Sequence, residues 1–207
     1  MPELLQHTYC LLELLLWPSG HLLELLRLHH RLLQPLRLFC RWLQVLLPLS
    51  QIQTVSKAAG PVTAADVVCH EAPYYAGNVH YCYYEQMRSD AAYGAGTYSP
   101  SHVDILSFDN AKLPATYLKE MKAGGGPTAS TLAATPTMVV KFDPKASIGT
   151  APDASGQPVI VTGPTVSVYQ SKGNNVVYTV CANPRGGGSA ALTTCAKALA
   201  KAQLAKL

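Results

Sequence analysis

The sequence predicts an α+β fold: a small, β-rich, antiparallel domain with a C-terminal helix, preceded by a leucine-rich head. Three observations carry that expectation. Composition changes near residue 53, where a stretch holding 20 Leu and 4 Arg with no Lys or Asp gives way to one holding all 10 Lys, 14 of the 15 Gly and 10 of the 11 Tyr. The later part consists of short runs rich in Val, Ile, Thr and Tyr between Gly, Pro and Asn, the punctuation of strands and turns. The last residues are dense in Ala, Leu and Lys, which favour helix. We therefore divide the chain into a head, 1–57, and a body, 58–207, of a size that suits one core.

In the head, leucines at 4, 11, 15, 22, 26 and 33 fall on one helical face. Pro18, Pro35 and Pro48 interrupt that face, because an interior proline loses a hydrogen bond and clashes with the preceding turn. Short broken helices follow. No stable transmembrane span is expected, since Glu13, Glu24, Arg27, Arg31, Arg37 and Arg41 cut every window before the ~20 apolar residues a span needs. An export signal fits better: a basic flank at 37–41, the uncharged stretch 42–52, then cleavage after Ala64 or just before Lys57. An organelle transit peptide competes but is weakened by Glu3, Glu13 and Glu24. The remaining reading is a non-native or low-complexity extension, because Leu, Pro, His, Gln and Arg make up 37 of the first 53 residues, the skew of a repetitive or out-of-frame stretch. The head is thus a targeting segment, cleaved or retained, or an extension without selected structure.

Strands are expected at 67–69, 78–84, 103–108, 137–142, 158–162, 165–170 and 175–181. The last two form an antiparallel hairpin, with apolar alternation on both arms and Gly173 in the connection. Residues 123–128 and 148–157 read as loops. Helices are expected at 115–122, stopped by Gly124, and from about 189 to 206, where Leu192, Leu199 and Leu204 make a narrow apolar face that docks on the sheet.

Four of the six cysteines lie in the body as Cys69/Cys82 and Cys181/Cys195, 13 and 14 residues apart and without a CxxC. That pattern favours disulfides over zinc and places the chain in an oxidising, extracytoplasmic compartment. Four cysteines permit three pairings; local pairing is the simplest.

The densest polar cluster is Cys69-His70-Glu71 with His80-Tyr81-Cys82. Paired strands could bring these together with His102, and imidazole and thiolate suit copper or zinc. The competing account joins the cysteines to each other and leaves the histidines as strand residues. The stretch Ala58-Ala59-Gly60, Val67-Val68-Cys69-His70, a tyrosine-containing spacer and Val79-His80-Tyr81-Cys82, with Pro100-Ser101-His102-Val103-Asp104-Ile105-Leu106 further on, resembles the first half of a plant BURP domain, whose signature is repeated Cys-His pairs. The second pair here is Cys82-Tyr83, and later Cys-His pairs are absent. The resemblance implies an exported, cell-wall-associated protein and, in some members, copper-dependent chemistry.

Other chemistry is thin. Loop 185–189, Arg-Gly-Gly-Gly-Ser, could offer backbone N–H groups to a phosphate, but only 16 residues follow Ala191, too few for a dinucleotide fold. There is no GxSxG elbow. Carboxylate pairs such as Asp104/Asp109 and Glu71/Glu85 are not placed across a substrate by spacing alone. The body's 12 basic and 9 acidic side chains are scattered, which argues against nucleic acid as a partner. Tyr74, Tyr75, Tyr83 and Tyr84 offer a binding surface, since tyrosine joins an apolar ring to a polar tip; about half of the tyrosines in this interval should instead fill the core. The function expected is an exported structural or interaction module without catalytic activity or cofactor, secreted or at a cell wall or envelope. Its partner is a protein or an envelope polysaccharide. The alternative is a copper- or zinc-binding protein using Cys69, His70, His80 and Cys82.

Overall fold

A computed structural model describes residues 45–56, 62–85, 87, 97–98, 101–182 and 188–207. The chain separates into two compact units, Met1–Val45 and Leu46–Leu207. The first, including the basic flank at 37–41, lies outside the described residues except for Val45.

The described residues of the second unit form eight strands: β1 (Asp66–Tyr74), β2 (Gly77–Glu85), β3 (Thr97–Tyr98), β4 (Ser101–Phe108), β5 (Ser130–Thr135), β6 (Met138–Pro152), β7 (Pro158–Lys172) and β8 (Asn175–Ala182). Their order across the sheet is β1-β2-β4-β8-β7-β6, and every neighbouring pair is antiparallel. The outer side of β6 takes β5 along its first half and β3 near Gly149 and Thr150. Pro73 falls on the edge strand β1, the place in a sheet where a residue without N–H is tolerated. Among the described residues three helices accompany the sheet: α1 (Leu49–Ser56), α2 (Leu113–Ala123) and α3 (Ser189–Leu204).

Side chains alternate between two faces. On one, which we call the helix face, Val103, Val166, Val168, Val177 and Cys181 meet Leu192, Ala196, Leu199, Ala200 and Leu204 of α3. These α3 positions recur at helical spacing, and the small alanines let the helix lie close to the sheet. The buried Thr179 hydroxyl donates to Ala196 O at 2.8 Å. On the opposite face, α2 sets Leu113 and Leu118 against Val79, Leu106, Phe108, Val139 and Val176 at one end of the sheet. Pro114 in the first turn of α2 suits a position whose N–H has no helical acceptor, and Gly124 ends the helix in extended conformation.

The compact unit takes in residues that precede position 58. Leu46, Leu47 and Ile52 are fully buried, and α1 packs on α3. Gln203 Oε1 accepts from Leu47 N at 2.9 Å, Tyr84 donates to Leu47 O, and Lys206 donates to Leu46 O. These residues share the leucine-rich composition of the head, yet their leucines close the sheet–helix core. The apolar stretch 42–52 read as an export signal therefore ends inside the fold, and cleavage before Lys57 or after Ala64 would remove core.

The 148–157 loop shrinks to 153–157. There Asp153 Oδ1 accepts from Ser155 N, Ser155 Oγ and Gln157 N, and Gly156 adopts φ 82°. These bonds hold the exposed Asp153 carboxyl below its ordinary range, that from Ser155 first. β6 and β7 run on as a long hairpin because bulges near Asp143/Ala146 and Ser147/Gly149 absorb residues that read as breakers. The β7–β8 hairpin forms where expected, around Gly173 at φ 59°.

Candidate functional site

Cys69 and Cys82 face each other in the β1–β2 register and are bonded; Cys181 of β8 is bonded to Cys195 of α3. The first staples the edge strand to the sheet, and the second clamps the C-terminal helix to the central strand. In the chain-entropy account, closing loops of this size stabilises by about 3 kcal/mol each.

Alternation along β1 and β2 then separates the histidines. His70 lies opposite Tyr81 on the α2 side of the sheet, whereas His80 is on the helix face opposite Glu71. His80 sits between two carboxylates, Nδ1 at 3.5 Å from Glu71 and Nε2 at 3.1 Å from Asp109. His102 shares a face with His70, but the Tyr83 ring stands between them, 6.0 Å from one and 6.3 Å from the other. His70, His80 and His102 therefore do not converge, and both thiols of the sequence cluster are in a disulfide. Among the described residues, no group of three or more His, Cys, Asp or Glu is arranged to hold a metal ion.

What this face does gather is aromatic. His70 stacks on Tyr81 at 4.9 Å, Tyr83 follows, and His102 lies 6.0 Å from Tyr178, which stacks on Tyr169 at 4.6 Å. Tyr169 leads at 6.3 Å to Tyr117 of α2, and Tyr117 meets Phe108 and Tyr74 beneath the helix. Burial, first among the causes, pushes the phenols of Tyr74, Tyr117, Tyr169 and Tyr178 upward; for Tyr178 the hydrogen bond from Ser167 works in the opposite direction. Next to these rings, His102 Nε2 stands 2.5 Å from Asp104 Oδ1.

Where α2 ends, this tyrosine face opens into a cavity of about 390 Å³. Its floor is Thr165, Ser167 and Tyr169 of β7 with Tyr178 and Val180 of β8, and His102 borders it. Lys141 and Asp143 of β6 form one wall, and Gly125, Gly126 and Ala129 form the roof. Lys141 is buried and donates to Met121 O, in the last turn of α2, at 3.0 Å. Asp143 Oδ1 accepts from Thr128 at 2.5 Å and Lys145 N at 2.9 Å. An aromatic floor, hydroxyls, one cation and one carboxylate make a site that can stack on an apolar ring face and hydrogen-bond around its edge.

Of the tyrosines proposed from sequence, Tyr74 and Tyr83 are on the tyrosine face, and Tyr74 is largely under α2. Tyr75 is 69% exposed in the β1–β2 turn, at φ 51°, and bonds Glu120. Tyr84 packs into the helix-face core. The residues sequence reasoning passed over are Lys141, Thr165, Ser167, Tyr169 and Tyr178. The signal for them was present: Lys141 interrupts an apolar run, and in both hairpin arms the residues between the valines are hydroxylated or aromatic. Loop 185–189, weighed as a phosphate cradle, lies mostly outside the described residues, as do Tyr93 and the side chain of Tyr98.

No family model matches the chain, and no curated protein matches it. Among solved structures it is similar to the extracellular domain of PknH from Mycobacterium tuberculosis, with a TM-score of 0.47 at 11% identity over 78% of this chain and 93% of that one. No helix among the described residues is long and apolar enough to cross a membrane.

Proposed function

We propose that the Leu46–Leu207 unit is an extracytoplasmic, non-catalytic recognition module that binds a saccharide unit of a cell-wall or envelope polymer in the cavity on its tyrosine face. The carrying observation is the cavity itself. Its volume of about 390 Å³ suits one or two sugar rings, and the stacked pair Tyr169 and Tyr178 lines it beside Thr165 and Ser167. Tyrosine serves such sites because its ring packs against C–H groups while its hydroxyl stays hydrogen-bonded. Two disulfides within a body of this size support an oxidising location, since thiols in a reducing cytosol stay unpaired.

The test is a titration of the full chain with soluble fragments of envelope polysaccharide, read as backbone amide shifts. Shifts confined to strands β6–β8 and the Gly125–Gly126 roof, lost in Tyr178→Ala, are the expected result. Shifts clustered elsewhere, or only upon addition of envelope proteins, would discard the saccharide reading. Mass measurement after thiol alkylation without reductant tests the compartment: alkylation of any of the four body cysteines in natively produced protein would count against export.

A further inference from the structure

Among the described residues, Lys141 is the one buried charged side chain, 8% exposed. Buried ammonium groups require compensation, because the water they leave must be replaced by hydrogen bonds or by opposite charge. Lys141 has a fraction of that. Its Nζ donates to Met121 O at 3.0 Å, a carbonyl at the negative end of α2, which uses one of three N–H donors. No carboxylate among the described residues pairs with it. Asp143, two positions along the same face of β6, is engaged with Thr128 and Lys145 N instead.

The chain is also shaped around this ammonium. Gly125 adopts φ 138°, and a Cβ at that position would come within 2.7 Å of Nζ. That positive φ is one L side chains rarely adopt, so glycine lets the roof pass close over the cation, which lines the cavity.

We propose that the cavity takes a carboxylated sugar, with the carboxylate on Lys141, the ring over Tyr169 and Tyr178, and a ring hydroxyl donating to Asp143. The inference rests on the reading of the cavity as a saccharide site. It adds the charge: a neutral sugar leaves the ammonium uncompensated, whereas a carboxylate completes it in surroundings where water screens the pair weakly. Asp143 selects a ligand that carries donors beside its anion, which a sugar acid has and a simple carboxylate lacks.

The experiment compares D-glucuronate, D-glucose and acetate on the full chain, following the amides of Gly125 and Gly126. Glucuronate is expected to bind at least tenfold more tightly than glucose or acetate. Lys141→Gln should abolish the preference, bringing the glucuronate and glucose Kd values together; a preference that survives the substitution overturns the inference. Should that variant fail to fold, the uncharged methyl ester of D-glucuronate on the wild-type chain gives the same information: it should bind no more tightly than glucose, and an ester that binds as tightly as glucuronate overturns the inference. Equal binding of glucose and glucuronate overturns this inference and leaves the saccharide site standing. Acetate binding as tightly as glucuronate overturns it in favour of a simple anion site. No shift with any of the three overturns both readings.

Discussion

At the scale of single residues, the buried polar groups are the most exacting part of this molecule, because each is correct only with its partner in place. Gln203 shows this best. It is fully buried on α3, and its Oε1 accepts the Leu47 N–H at 2.9 Å, which ties the two ends of the unit through one amide. Gln203→Leu keeps the volume but leaves that N–H buried without an acceptor, at a cost of about 1–3 kcal/mol. Urea unfolding of the full chain should show this as a lower midpoint with an unchanged slope. A variant as stable as the parent would mean that water replaces the glutamine. Tyr75 is the other exacting residue. A left-handed backbone at a bulky side chain costs about 1–2 kcal/mol, and this one is held in a two-residue turn with its hydroxyl on Glu120.

At the scale of elements, α1 decides where the fold begins. Leu47 and Ile52 have no solvent exposure, so Leu47→Ala and Ile52→Ala should each destabilise by about 2–5 kcal/mol, as core truncations do. If instead 46–56 were only a leader lying on the surface, both variants would unfold at the parent midpoint. This boundary was hidden in the sequence because Leu46 and Leu47 look like every other leucine upstream; only their partners on α3 set them apart. The strands were more legible. Period-two alternation in β2, β4, β7 and β8 and the Gly173 connection required no tertiary information. β5 was invisible for the opposite reason: Ser-Thr-Leu-Ala-Ala-Thr is a wholly exposed edge strand with no buried face to impose a pattern. The second half of β6 was hidden by Pro144, Gly149 and Pro152, which read as breakers until bulges accommodate them.

At the scale of the whole molecule, the sheet divides its labour between an aliphatic face under α3 and an aromatic face partly under α2. The disulfides and the hairpin could be read from spacing, but the cavity could not, since Lys141, Ser167 and Tyr178 meet only once β6, β7 and β8 are in register. That division has a consequence for pH. Tyr74, Tyr117, Tyr169 and Tyr178 have folded-state pKa values raised above the ordinary 10.0, chiefly by burial, because the fold disfavours their phenolates. A pKa raised on folding contributes stability that is present below the unfolded value and lost as pH climbs above it, so the aromatic face should weaken above about pH 10 and not below. The buried rings therefore should not titrate one by one. They should ionise together, as the sheet unfolds, with the rise in tyrosinate absorbance coinciding with loss of the far-ultraviolet strand signal. Smooth titration of every tyrosine near pH 10 with the strand signal intact would show that these rings stand in water, and would remove the floor of the proposed binding site with them.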